Sequence, residues 1–436
     1  MRRPGPQVGA GGRRPWGGPQ GGLRRARNPC TTDSCTAGGG CANLPAENGS
    51  ACADGLACTT GDTCQGGACT PASTACGPAP SAWPLYGHDA QHSGRAQVSG
   101  AQTTNIQWKF QVGGAINGSA AAVGTDGTIY LGAMDKSLYA IEKDGTVAWT
   151  FPTQGEIQSS PAVGAEGSVY FGSNDGNVYA TWKDGTPRWT FPTGDDVRSP
   201  PVLDANGTVY VGSNDGSVYA IAPDGSKKWS YPFAATAACA TGVCPVRGAA
   251  ALAPDGTVVA GSFSGQVVGL SPSKGEVVWT FNATGAVVGT PAIAEDGSVH
   301  FGTLTSNVYG LDAAGASFWP PVSAESAIGS FAFADDGSVL FGQLGDFTKA
   351  YAPSGDFIWE ASGGAVGPVI GADGLLYVGT KDANVNALNP DGTQKWAVYI
   401  GGGAGPDEDD VTSIAIVAEG RLVVALKNGK VLAIGP

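Results

Sequence analysis

Along most of the chain, short apolar runs alternate with breaks rich in Gly and Asp, as in PAVGAEGSVYFGSNDGNVYATWKDGTPRWTF (161–191) and PVLDANGTVYVGSNDGSVYAIAPDGSKKWSY (201–231). Each such unit reads as four short strands. Strand A is the apolar run after a pair of small residues, as at Pro161–Val163. Strand B is VYFG or VYVG, strand C is VYAI or a variant, and strand D is W-x-F. Alternation of apolar and small positions, enriched in β-branched and aromatic side chains, is the strand signature. Asp126-Gly127, Asp255-Gly256 and Asp336-Gly337 close A to B, and Asp175-Gly176 and Asp215-Gly216 close B to C. Read as two-residue hairpins, these turns require positive φ at both central positions, which Asp-Gly tolerates.

The unit recurs with a fixed period. Trp stands at Trp108, Trp149, Trp189, Trp229, Trp279, Trp319, Trp359 and Trp396, at gaps of 41, 40, 40, 50, 40, 40 and 37. Four-stranded units of about 40 residues are propeller blades. Eight A–B–C sets begin near Ala121, Pro161, Pro201, Ala250, Pro291, Phe331, Pro368 and Ile414. The Trp108 strand precedes them all, and the last set lacks an outer strand of its own. The pattern therefore predicts an all-β, eight-bladed propeller of four-stranded antiparallel blades, closed by the Trp108 strand in the last blade. Closure removes two exposed sheet edges. The Trp ring, each member burying roughly 150–250 Å², is expected to pack blade on blade. Small residues entering strand A (Ser119, Ser159, Ser199, Gly289) suit inner strands crowded around an axis, and Gly132 and its equivalents in strand B imply close backbone approach between blades.

Composition narrows the class. With 70 Gly and 29 Pro in 436 residues and 14% charged residues, neither a helical bundle nor a disordered chain fits. No stretch nears the roughly 20 apolar residues of a membrane-spanning helix. Residues 1–28 carry seven Arg and no acid, leaving 17 basic against 37 acidic residues, a net of −20, over 29–436. So acidic a body repels phosphate backbones and disfavours nucleic acid. The 1–28 segment, rich in Arg, Gly and Pro, reads as a disordered leader or a mis-called start, and it lacks the apolar h-region of a secretory signal.

Cys30, Cys35, Cys41, Cys52, Cys58, Cys64, Cys69 and Cys76 fall within 47 residues and mark a small disulfide-stapled module at 29–77. Zinc is the rival, but C-x2-C knuckles are absent. Eight Cys allow 105 pairings, so connectivity stays open. Disulfides need an oxidising compartment, which implies export by a signal not visible in this chain. CTTDSCTAGGGC (30–41) and CTTGDTCQGGAC (58–69) resemble Cys-rich repeats of exported myxobacterial-type proteins, a resemblance that implies surface display.

The propeller unit over 83–436, introduced by WPLYGHDAQHSGR (83–95), resembles the PQQ-like repeat of quinoprotein dehydrogenases and of the outer-membrane assembly scaffold BamB. The dehydrogenase resemblance implies PQQ and Ca²⁺ in the ring centre, with an Asp base, Glu and Asn ligands and often a disulfide between adjacent Cys. In this sequence no two Cys adjoin and the central columns hold no carboxylate, so no catalytic or cofactor-binding residue is assigned. The BamB resemblance implies a non-catalytic scaffold at the cell envelope with a protein or glycan partner; a PQQ- and Ca-dependent dehydrogenase is the alternative.

The remaining candidates are loop residues. Cys239 and Cys244 lie in an insertion ahead of blade four and are expected to close it as a disulfide. Asp407, Glu408, Asp409 and Asp410, in the loop ahead of blade eight, offer oxygen ligands to Ca²⁺ or form a solvated acidic loop. Both loops are expected on one face with the B–C turns. His88 and His92 read as loop hydrogen-bonding residues and His300 as a half-buried packing residue in the strand B Tyr column; Lys349 interrupts the strand C Tyr column in blade six.

Overall fold

In blades one, two, three and seven, B-strand Tyr, C-strand Ala and D-strand Trp fall opposite one another, so these sheets present the same three-residue row. The register is Tyr130↔Ala140 and Ala140↔Trp149 in blade one, and Tyr170↔Ala180 and Ala180↔Trp189 in blade two. The computed structural model describes residues 83–436 apart from 235, 237–238, 240–241, 324–327, 344–345, 365, 402–408 and 418–419; before residue 83 it describes six short strands between 31 and 74. Every element among the described residues is a strand, and no helix long and apolar enough to cross a membrane occurs among them.

Eight four-stranded antiparallel sheets follow in order at 122–152, 162–192, 202–232, 251–282, 292–323, 328–362, 369–399 and 411–434. The eighth takes its outer strand from Ile106–Gln111, where Trp108 lies opposite Ala433. The ring closes as the sequence predicts.

Seven of the eight repeat Trp, all but Trp396, clasp a turn glycine of the next blade. A Cβ on Gly145 would lie 2.7 Å from Cδ2 of Trp108, so only Gly, which also holds φ +89° there, lets the indole lie flat on the turn. The indole Nε1 of Trp108 donates to Lys143 O at 3.0 Å, that of Trp189 to Pro223 O at 3.0 Å and that of Trp229 to Pro272 O at 2.9 Å. At the axis, hydroxyls stitch the inner strands together. Ala121 N donates to Ser413 Oγ, Ala120 N to Ser160 Oγ, Ser159 Oγ to Ser199 O, Ser199 Oγ to Gly248 O and Ala249 N to Thr290 Oγ1, at 2.8–3.0 Å. That chain of bonds accounts for the small, hydroxyl-bearing column.

Three expectations need correction. The A–B and B–C turns are three-residue loops: Gly127 N bonds Gly124 O and Gly124 N bonds Thr128 O, as Gly176 N bonds Ser173 O and Ser173 N bonds Asn177 O, and positive φ falls on Gly127 and Gly176 and not on Asp126 or Asp175. This is a type I turn followed by a left-handed residue, in which Asp accepts from the backbone, as Asp126 Oδ1 does from Thr128 N. Trp319 is not in a strand: Pro320 and Pro321 remove two ladder donors, and the outer strand of blade five shrinks to Val322–Ser323. The Gly column of strand B does lie against backbone, but that of the D–A connection and not of the next blade's strands: a Cβ at Gly172 would meet Val197 O and side chain, and one at Gly212 Val246 O and side chain.

In blade one the left-handed B–C turn position is the exposed Lys136, at φ 70°, where blades two and three use Gly176 and Gly216. Lys136→Gly is therefore expected to stabilise the chain by about 1 kcal/mol, because a side chain at positive φ costs roughly 1–2 kcal/mol. Urea melts of both proteins check it.

The contacts divide the chain into two units, with Met1–Gly55 and Gly61–Ala72 in one and Leu56–Thr60 and Ser73–Pro436 in the other. In the first, Cys35 pairs opposite Cys41 and Cys64 opposite Cys69 across short hairpins. The eight-Cys connectivity and the 1–28 leader lie outside the described residues.

Candidate functional site

The lead-in segment does more than introduce the ring. Its carbonyl oxygens accept from inner-strand N–H groups of six blades: Trp83 from Val123, Pro84 from Val163, Ala90 from Leu252, Gln91 from Ile293, Ser93 from Phe333 and Gly94 from Ile370, at 2.7–3.0 Å. These donors sit where strands A run into the A–B turns, so residues 83–94 stopper that end of the axis. Trp83, Leu85, Ala96 and Ala101 are buried. Asp89 holds the segment's own turn by accepting from Gln91 N (3.1 Å) and Ser93 N (2.9 Å). His92 lies between the carbonyl oxygens of Tyr86 (Nδ1, 2.7 Å) and Ala250 (Nε2, 2.8 Å), and its burial pushes its pKa down. Both lead-in His are thus hydrogen-bonding residues, as expected, and His88 contacts Asp89 at 3.4 Å.

Beyond the stopper lies an axial cavity of about 220 Å³, floored by Trp83, Tyr86, Gly87 and Gly94 and walled by the entering ends of strands A in blades six, seven, eight and one. The Tyr86 hydroxyl pairs with Ser330 Oγ, and burial raises its pKa. No charged side chain lines this space among the described residues. PQQ carries three carboxylates and its Ca²⁺ takes about six to eight oxygen ligands. Drug-sized sites usually enclose roughly 300–1,000 Å³. The residues present do not fit that pair.

The opposite face carries the D–A connections and the B–C turns together: Asn174 N donates to Glu156 O and Asn214 N to Asp196 O, both at 2.8 Å. Around blades two to four it forms a polar arc. Arg198 Nη2 meets Asp196 Oδ2 at 2.8 Å, and Arg247 Nε donates to Asn214 Oδ1 at 3.0 Å while lying 4.8 Å over Phe263. Burial and the neighbouring Arg198 charge lower the Arg247 pKa. The residues just after the packing column of Ile157, Val197 and Val246 (Gln158, Arg198, Arg247) were the sequence signal for this arc, and the repeat reading passed over them.

Cys239 and Cys244 are joined as a disulfide within this face's insertion. Of the acidic loop, Asp407 and Glu408 lie outside the described residues. Asp409 accepts from Asn428 Nδ2, and Asp410 O accepts from Lys427 N at 2.9 Å, so both bind the blade-eight B–C turn. Lys349 faces Glu360 at 3.1 Å across strands C and D.

His300 is more deeply buried than a half-buried packing residue, packed edge-on against Phe318, Trp319 and Phe333. Burial lowers its pKa from 6.5 to about 4. The unfolded chain therefore takes up the proton first. Its contribution to stability is intact above about pH 6.5 and is lost as the pH falls through about 4. In denaturant melts, the stability of His300→Tyr relative to the native chain is expected to improve by on the order of 2 kcal/mol between pH 7 and 4.5.

The Trp clasp, hydroxyl-stitched axis and strand-exchanged closure define a propeller of PQQ-like repeats. The family model described as outer membrane protein assembly factor BamB matches residues 92–241, 244–302 and 304–436, and the chain belongs to that family. No curated protein sequence matches significantly. Among solved structures, BamB from Moraxella catarrhalis superposes with a TM-score of 0.63 at 18% identity, over 76% of this chain and 100% of that one. Quinohemoprotein alcohol dehydrogenase from Comamonas testosteroni superposes with a TM-score of 0.66 at 14% identity, over 81% of each chain. The computationally designed Ika8 protein gives 0.59 at 15% identity, over 78% and 98%. At these identities the structures share the fold.

Proposed function

We propose that this chain is a non-catalytic scaffold propeller, exported to the cell envelope, that engages a protein partner. The observation that carries this reading is the axis: its own lead-in stoppers one end, and the cavity left above is small and, among the described residues, lined without charge. A quinone cofactor with its metal needs the reverse. The family match to an outer-membrane assembly factor supports the envelope and a protein partner, and nothing observed favours the glycan alternative. A disulfide in the propeller itself agrees with an oxidising compartment.

The test is crosslinking of the tagged full chain in its own cells, followed by quantitative recovery. One dominant envelope protein recovered near one-to-one is the expected result. Recovery of the chain alone, from the cytoplasm, would overturn the reading.

A further inference from the structure

The Tyr–Ala–Trp row of blades one, two, three and seven is broken in blade six. Tyr130, Tyr170, Tyr210 and Tyr377 lie 5.7–5.9 Å from the Trp of their own blade and fill the inter-blade space. In blade six the register places Leu340 opposite Ala350, and Ala350 opposite Trp359. The missing ring leaves a cavity of about 500 Å³ against Ile370, Leu376 and Pro390 of blade seven. A smaller gap of about 150 Å³ opens in blade eight, where Val423 takes the Tyr position beside Trp108; blade four also has an aliphatic residue at that position, Val259.

Charge separates the two. The smaller gap is lined by Asp126 with Lys143 and Arg421. The larger has Asp335, Asp336 and Asp391 in its lining and, among the described residues, no basic one. Arg95 pairs with Asp335. Asp336 and Asp391 each spend one oxygen on their own turn, accepting from Ser338 N and Thr393 N, which leaves the other for an incoming cation. Ile358, 46% exposed, extends the apolar wall to the surface, and Phe357 beside it is 56% exposed.

We infer that the groove between blades six and seven docks a segment of a partner protein that carries an aromatic side chain next to a basic one. The aromatic ring enters where Leu340 leaves the tyrosyl space and stacks by Trp359, and the cation meets Asp336 and Asp391. The inference rests on the scaffold reading and gives its partner a chemistry.

Calorimetric titration of the full chain with the capped peptides Ac-Lys-Tyr-Lys-amide, Ac-Glu-Tyr-Glu-amide and Ac-Lys-Ala-Lys-amide tests it. The first is expected to bind at least about tenfold more tightly than either control. Leu340→Tyr, which restores the row, is expected to abolish binding without lowering the melting temperature. Asp336→Asn with Asp391→Asn keeps both turn caps and is expected to weaken binding several-fold and to remove its salt dependence. Equal binding of the three peptides, no saturable binding, or full binding by Leu340→Tyr overturns the inference. None of those results touches the scaffold reading, which the crosslinking experiment decides separately.

Discussion

Leu85→Ala is expected to destabilise the propeller by about 3 kcal/mol, within the roughly 2–5 kcal/mol of fully buried Leu truncations. Leu85 belongs to no strand, and its chain position suggests a linker, where substitutions usually cost less than about 0.5 kcal/mol. Yet it is fully buried in one apolar cluster with Ala162, Leu203, Val209 and Leu252, so it joins blades two, three and four from the axis. Truncating it opens a hole between blades that their rigid sheets cannot collapse to fill. Equilibrium urea unfolding of the two proteins measures the loss. A change under about 0.5 kcal/mol would mean that the lead-in is not part of the cooperative fold.

The second large effect belongs to the Trp clasp. Trp229→Ala is expected to cost about 3–5 kcal/mol, because it removes a buried indole, its bond to Pro272 O and its contact with Tyr210. Gly275→Val reaches the same contact from the other side. A Cβ there lies 2.6 Å from the Trp229 ring, and the backbone holds φ +71°. The two losses are not expected to add, since each breaks one blade-three to blade-four clasp. A double-mutant cycle by thermal melting shows the coupling.

Trp189 announces its blade in the sequence because the Trp period returns along the chain, and the Trp108 strand could be matched to the last blade by counting strands. What does not repeat was harder to read. The stopper at 83–94 is built from carbonyl groups, which any residue offers, so its mark was the crowding of Gly87, His92 and Gly94 at positive φ. The Asp-Gly dipeptides at 126–127, 175–176 and 215–216 mark turns in the structure, but of another geometry, because Asp serves here as a side-chain acceptor and not as a left-handed residue. Trp319 kept the period while Pro320 and Pro321 displaced its strand. Along the same columns Lys349 stood out, whereas Leu340, the substitution that opens a cavity, looked like an ordinary apolar residue. The charged pair Arg198 and Asp196 lies outside the strands, where the repeat imposes no pattern.

The claim that the ring centre holds no redox cofactor is tested most directly by titrating the full chain, purified from an exporting host, with PQQ and Ca²⁺ while following quinone absorbance and dye-linked oxidation of alcohols and sugars. The account predicts no saturable change in absorbance and no turnover. One-to-one binding with turnover would contradict it.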